Sequence, residues 1–387
     1  MSTLFTPLEL GDITIHNRMG MSACGRNRAD VSTTPSEIMK EYYMQRALGG
    51  CGLIVSEATL ISRQGVRDRT VCPRQPGIWN QEQIAGWKKI VDAVHTTGTK
   101  MYCQLWHVGR TSHPDAPEQI TAGEPVYGPS AIAARGGEFR FLPGNPGYVT
   151  PTAIEDPTTL IALYKQAAIN AKEAGFDGVE VHGANGYLID QFLDFNSNKR
   201  TEKWGGSAEN RARFGLETLK ELIKVFGANV SVKLGPAGGI NDVGMPLKDA
   251  LETFTYFISE ADKLGLSYIV LCRYVAYRDP IVDGKSRATP FDVISTFRPI
   301  IKSTKYFANV NYTPAEAAGL VAAGTVDGVF FGKLWLAHPD LAKRVRFCKP
   351  LDNIPDPKRY YDPDPLFPEL GYIDYPPWAN YEGDEEE

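Results

Sequence analysis

From residue 19 to residue 346 the chain alternates short apolar runs with longer amphipathic stretches, and no two apolar runs are joined by a hairpin turn. That alternation restricts the fold more than any other feature. Strands joined through helices run parallel, because a parallel neighbour needs a crossover and the crossover is right-handed. The apolar runs predict strands at 19–23, 52–59, 100–106, 178–182, 230–234, 268–272, 306–310 and 328–331. The stretches between and after them predict helices at 34–48, 81–94, 160–173, 208–226, 247–264, 291–302, 314–323 and 339–346. Eight such units predict an α/β fold closed into a (β/α)8 TIM barrel rather than an open doubly wound sheet. Ahead of them, 4–18 reads as two alternating segments around Gly11-Asp12, which predicts a β-hairpin capping the bottom of the barrel.

One stretch breaks the rhythm. Residues 108–156 are rich in Gly and Pro and carry no helical period. A loop that long in a compact unit signals a functional insertion, so it is expected as a lid or capping element over the site. The domain expectation is one barrel over 1–376, with a solvated acidic tail over 377–387. A net charge of −5 without a basic cluster argues against a nucleic-acid partner. No apolar run reaches the ~18 residues of a membrane span, and the first residues lack the charged and apolar regions of a signal peptide. The six cysteines are scattered without a CxxC pair, as expected of reduced thiols in a cytoplasmic protein. Monomer and homodimer both remain open.

A barrel assembles its active site from the C-terminal ends of its strands. Those ends carry Ala23, Cys24 and Gly25, then Glu57 and Ala58, then Gln104 and Trp106. The fourth strand ends in His182, with Asn185 and Tyr187 directly after it, and the fifth carries Lys233. The last two end in Asn309, Asn311, Gly332 and Lys333. An amide, two lysines, a His–Asn pair and a phenol thus converge on one face. Glu57 is the lone carboxylate there, which is poor for glycosidase chemistry. The histidines make no metal set, and neither GxGxxG nor a P-loop occurs. Lysines at strands seven and eight suit a phosphate, where many barrels hold one.

The run HGANGYLIDQFL at 182–193, followed by SNKRTEKWGGSAENRARF at 197–214, resembles the old yellow enzyme family of FMN-dependent ene-reductases. The likeness extends from about Leu4 to Pro376 and includes Gln104-Leu-Trp106 and GYIDYP at 371–376. It implies bound FMN and NADPH or NADH as reductant, with Ala23, Cys24, Gly25, Ala58, Gln104, Lys233, Asn311, Gly332 and Lys333 around the flavin. It implies a small-molecule enone substrate among Trp106, His182, Asn185, Tyr187 and Tyr372. His182 and Asn185 would bind the carbonyl oxygen, flavin N5 would deliver hydride to Cβ, and Tyr187 would protonate Cα in a ping-pong cycle. Phenols, with pKa ~10, are protonated at neutral pH and can serve as such donors.

The chain departs from the family pattern at several places. Gly25 stands where many members have Thr or Cys, and Lys233 and Lys333 stand where better-known members have Arg. Val310 and Phe330 stand where Gly is frequent near the phosphate. These departures imply weaker FMN binding than in typical members. Two other readings stay open at this stage: a Schiff-base lyase using Lys233, and a barrel without flavin that serves as a ligand-binding protein.

Overall fold

The computed structural model describes residues 2–65, 74–139, 142–361, 363–364 and 366–378. The predicted tail therefore lies almost wholly outside the described residues, as does Cys72. The chain opens with an antiparallel hairpin, β1 (Leu8–Leu10) and β2 (Ile13–Ile15). The strands that follow are β3 (Met19–Met21), β4 (Leu53–Val55), β5 (Thr59–Leu60) and β6 (Lys100–Trp106). The insertion contributes β7 (Tyr127–Gly128) and β8 (Thr152–Ala153), a small pair of its own. The rest are β9 (Gly178–Gly183), β10 (Val230–Leu234), β11 (Tyr268–Cys272), β12 (Lys305–Asn309) and β13 (Gly328–Phe331).

The main sheet runs β4-β3-β13-β12-β11-β10-β9-β6, every pairing is parallel, and β4 also pairs with β6. That last pairing closes the ring, so the protein is the (β/α)8 barrel that the alternation predicts. β5 continues the wall beyond β4, pairing Thr59 with Leu105 and Leu60 with Trp106.

The inside of the barrel is packed with rings. Tyr102, Tyr268, Phe307 and Phe330 lie in one cluster with Leu53, Val55 and Val270, and the hairpin adds Leu8, Leu10 and Ile15. The hairpin thus plugs the bottom, as expected. A Cβ on Gly20 would fall 2.3 Å from the Phe330 ring, so a neighbouring strand gives up its side chain to make room for the aromatic one. Phe330 therefore belongs to the barrel floor, 5.3 Å from Tyr268 and 5.0 Å from Phe307 between ring centroids. The expectation that it sits near a phosphate is corrected: its inward direction carries it down the barrel axis.

Several predicted helices are shorter than expected, for local reasons. The predicted helix over 291–302 is the single stretch Val293–Phe297, because Pro299 cannot donate an N–H to continue the helix. The predicted helix over 339–346 is Leu341–Arg346, and a further short helix, Lys333–Ala337, precedes it unpredicted. His338, before Pro339, is extended at φ −122° and ψ 86° and separates them. The first helix begins at Glu37 behind Ser36 rather than at Thr34.

The insertion after β6 is a capping element on the loops at the C-terminal end of the barrel, as the sequence predicts. It carries a short helix, Pro117–Ala122, and the β7–β8 pair, and none of its described residues lines the main cavity. It packs instead against the loops after β9 and β10. Arg135 donates to both oxygens of Asp242 at 2.8 Å, and the Tyr148 hydroxyl donates to Asn241 Oδ1 at 2.7 Å. Arg200 reaches the carbonyls of Pro129 at 3.1 Å and Ile154 at 2.5 Å. Gly and Pro suppress helical periodicity in the sequence, but these polar ties give the segment one fixed position.

Candidate active site

A cavity of about 760 Å³ opens at the C-terminal ends of the barrel strands. Ala23, Cys24, Gly25, Ala58, Gln104, Trp106, His182, Asn185, Tyr187, Lys233, Asn311, Gly332 and Lys333 all line it. Tyr372 does not. It is fully buried, stacked on Tyr42 at 4.2 Å, with the Arg26 guanidinium 5.0 Å from its ring. The aromatic wall expected of Tyr372 comes from Tyr360 and Tyr361. Those two, together with Gln75, Ile240 and Tyr277, escaped the sequence reading because they lie in irregular segments without a period to read.

The polar floor is built by strand pleating. Side chains two apart on a strand share a face, so Glu180 points inward with His182. Glu180 is 2% exposed and accepts from Gln104 Nε2 at 2.6 Å and from the Tyr268 hydroxyl at 2.8 Å. Burial pushes its carboxyl above the ordinary range, opposed by nearby Lys233 and these two bonds. The period-2 signal for Glu180 was present in GVEVHG and went unused. Lys233 pairs in register with His182 across β9–β10 and donates to Ser22 Oγ at 3.1 Å. Glu57 is buried and accepts from Arg26 N at 3.1 Å, and burial raises its carboxyl to about 7.

Of the catalytic candidates, His182 lies near the end of β9 and Asn185 and Tyr187 sit on the tight turn that follows it. Asn185 and Gly186 are both left-handed, at φ 59° and 70°. Asn tolerates this conformation through its short polar side chain. A Cβ at Gly186 would fall 2.3 Å from the Ile240 carbonyl oxygen, so only glycine fits. The turn is pinned from below, where Gly186 N donates to Asp190 Oδ2 and Gln191 Nε2 donates to the Gly186 carbonyl, each at 2.8 Å. Asp190 and Gln191 belong to the short helix Leu188–Leu193, which is not among the predicted helices.

Three rings meet on this turn. His182 and Tyr187 are 4.9 Å apart at 88°, and Trp106 lies edge-on to Tyr187 at 4.9 Å. Ala184 N donates to His182 Nδ1 at 3.4 Å, which assigns the imidazole proton to Nε2. The Trp106 indole N–H is buried without a partner among the described residues.

The far end of the cavity suits an anion. Val310 and Asn311 are left-handed, at φ 82° and 57°. The backbone N–H groups of Asn311 and Tyr312 donate to no group among the described residues. Lys333 lines the same end, its ammonium 3.2 Å from the Tyr277 hydroxyl. Free amides and an ammonium at one end, a buried lysine and a glutamine amide along the floor, and an orphan indole N–H fit a phosphate-bearing planar cofactor.

Fold and site together define a (β/α)8 barrel whose cavity fits a phosphate-bearing planar cofactor. The comparisons specify which. The sequence pattern of the NADH:flavin oxidoreductase / NADH oxidase family matches residues 3–351. A protein called probable inactive reductase easA, from Epichloe festucae var. lolii, is 38% identical over 97% of this chain and 95% of its own. The 12-oxophytodienoate reductase 7 of Oryza sativa subsp. japonica is 35% identical over 96% of this chain and 94% of its own. The structure of morphinone reductase superposes with a TM-score of 0.84 at 37% identity, over 97% of this chain and 96% of that one. An old yellow enzyme homologue from Zymomonas mobilis gives 0.85 at 31%, over 96% and 99%. The chain belongs to the old yellow enzyme family. It is an FMN-dependent, NAD(P)H-dependent flavin oxidoreductase of the ene-reductase type.

Proposed function

We propose that the enzyme reduces the activated C=C bond of α,β-unsaturated carbonyl compounds, with His182 and Asn185 binding the carbonyl oxygen and Tyr187 protonating Cα. The observation that carries this reading is the turn after β9. It brings an imidazole, a carboxamide and a phenol to one cavity wall, with the His182 and Tyr187 rings perpendicular at 4.9 Å. Two donors on one carbonyl oxygen polarise the alkene and stabilise the negative charge that grows on that oxygen. The phenol then supplies the proton that completes saturation. Asp190 and Gln191 hold the turn so that the donors are already placed before substrate arrives.

The chemistry that FMN supplies when bound is hydride transfer, accepted from NAD(P)H and passed to an electrophilic carbon. Gln104 and Lys233 would hold its ring system, and Lys333 with the amides of Asn311 and Tyr312 its phosphate. Glu180 fixes the Gln104 amide by accepting from Nε2, and Ser22 fixes the Lys233 ammonium.

The test is an absorbance spectrum of the purified protein with FMN, taken anaerobically through two additions. The yellow band should bleach with NADPH or NADH and return on adding cyclohexenone. A band that bleaches and stays bleached with every enone would remove the proposed substrate class. A protein that takes up no FMN would return the reading to a ligand-binding barrel.

A further inference from the structure

Arg273 directly follows β11 and lines a smaller pocket that shares Asn185 and Ile240 with the main cavity, but it is not among the residues that line the main cavity. Its Nε donates to the Val310 carbonyl at 2.9 Å, and a terminal nitrogen donates to the Asn311 carbonyl. The other terminal nitrogen pairs with Glu316 Oε1 at 3.1 Å, and the guanidinium lies 3.8 Å from the Tyr312 ring centroid. Glu316 is itself tied to Thr313 N at 2.7 Å, in the capping box of the helix Pro314–Ala322. One side chain therefore grips two successive carbonyls and is locked on its own far side.

The peptide geometry turns this grip into a statement about the cavity. In a trans peptide the C=O and the next N–H point in opposite directions. With the carbonyls of Val310 and Asn311 drawn outward to Arg273, the N–H groups of Asn311 and Tyr312 face the other way, toward the cavity that both residues line. Neither N–H has an acceptor among the described residues. The grip also acts against a local preference. Val310 is β-branched and sits at φ 82°, where such residues are outliers that persist only when their surroundings impose the conformation.

We propose that Arg273 is a positioning residue for the phosphate of FMN. It holds Val310 and Asn311 in a conformation they would otherwise leave, and so presents two backbone N–H groups to the phosphate beside Lys333. Arg273 does not touch the cofactor. The proposal rests on FMN being the cofactor, and it adds that recognition of the phosphate, as distinct from the ring system, depends on a side chain outside the cavity.

Riboflavin, which has the ring system and no phosphate, separates these roles. Dissociation constants for FMN and riboflavin would be measured by flavin fluorescence on the full chain after flavin removal. The set would comprise the parent, Arg273→Gln, Arg273→Lys, Val310→Gly and the Val310→Gly/Arg273→Gln pair. Hydrogen bonds to a charged group set the scale, so Arg273→Gln should weaken FMN by about thirtyfold and riboflavin by less than about twofold. Arg273→Lys keeps the charge but not the fork and should recover only part of the loss. Glycine adopts the left-handed conformation at little cost, so in the Val310→Gly background the Arg273→Gln loss should fall to about fivefold or less. Equal weakening of FMN and riboflavin would overturn the proposal, since it would mark general damage. An unchanged FMN constant, or an undiminished loss in the glycine background, would overturn it too. A parent protein that binds neither flavin would overturn the cofactor reading itself.

Discussion

The Asn241 carboxamide donates from Nδ2 to the backbone carbonyl of Asn185 at 2.8 Å. The same side chain accepts from the Tyr148 hydroxyl at 2.7 Å on its Oδ1. A residue of the insertion is therefore two hydrogen bonds from the backbone that aims a candidate catalytic amide.

Asn241 is itself left-handed, at φ 58°, so Asn241→Gly removes the carboxamide without straining the backbone. The expected result is a fall in enone reduction of up to about tenfold, the worth of one buried hydrogen bond. Tyr148→Phe should act in the same direction and less strongly. Single-turnover rates with cyclohexenone would check both.

His182→Ala and Asn185→Ala should each slow the enone half of the cycle by roughly 10²–10³, since each deletes one donor to the carbonyl oxygen. The double variant should fall short of the product of the two, because both donors serve the same oxygen. Rapid mixing of the reduced enzyme with enone gives the rates.

Tyr187→Phe keeps the ring that packs against Trp106 and His182 and removes only the hydroxyl. Loss of a positioned acid costs about 10²–10⁴, and the loss should fall on the enone half while the fold is unchanged. A variant with full enone turnover would mean that the proton comes from elsewhere.

Asp190 titrates in an unusual range. Burial pushes its carboxyl up from 3.8 to about 8, although its bond from Gly186 N opposes the shift. The folded state thus holds this proton more tightly than the unfolded chain. The resulting stability is complete below about pH 4 and is lost as pH rises through about 8, at up to ~1.4 kcal/mol per pH unit. Asp190→Asn keeps an acceptor for Gly186 N and removes the titration. Its urea midpoint relative to the parent should rise between about pH 5 and about pH 8.

Much of the barrel was legible because its strands are buried on both faces and bounded by turn residues. β6, β10, β11, β13 and the helix Ala208–Phe226 run where the apolar pattern places them. The site was legible for a different reason: a strand's C-terminal end in a closed parallel barrel has only one place to be. What failed was direction. Tyr372, expected in the substrate pocket, and Phe330, expected near the phosphate, are both taken up by packing, one against Tyr42 and the other in the barrel floor. A linear pattern does not distinguish these from cavity-facing positions. The internal structure of the insertion was not legible because polar ties such as Arg135–Asp242 join residues far apart in sequence and leave no periodic trace.

Those ties divide labour between two parts of the molecule. None of the described residues of 108–156 lines the cavity, yet the segment is fastened to Asn241 and Asp242 beside Ile240, which does line it. Changes within 108–156 will thus reach the reaction as small errors of aim rather than as altered contacts with substrate. Selections for a new substrate will find their answers along the cavity wall, and selections for speed on a given substrate will find some of theirs in a segment whose described residues stand behind that wall.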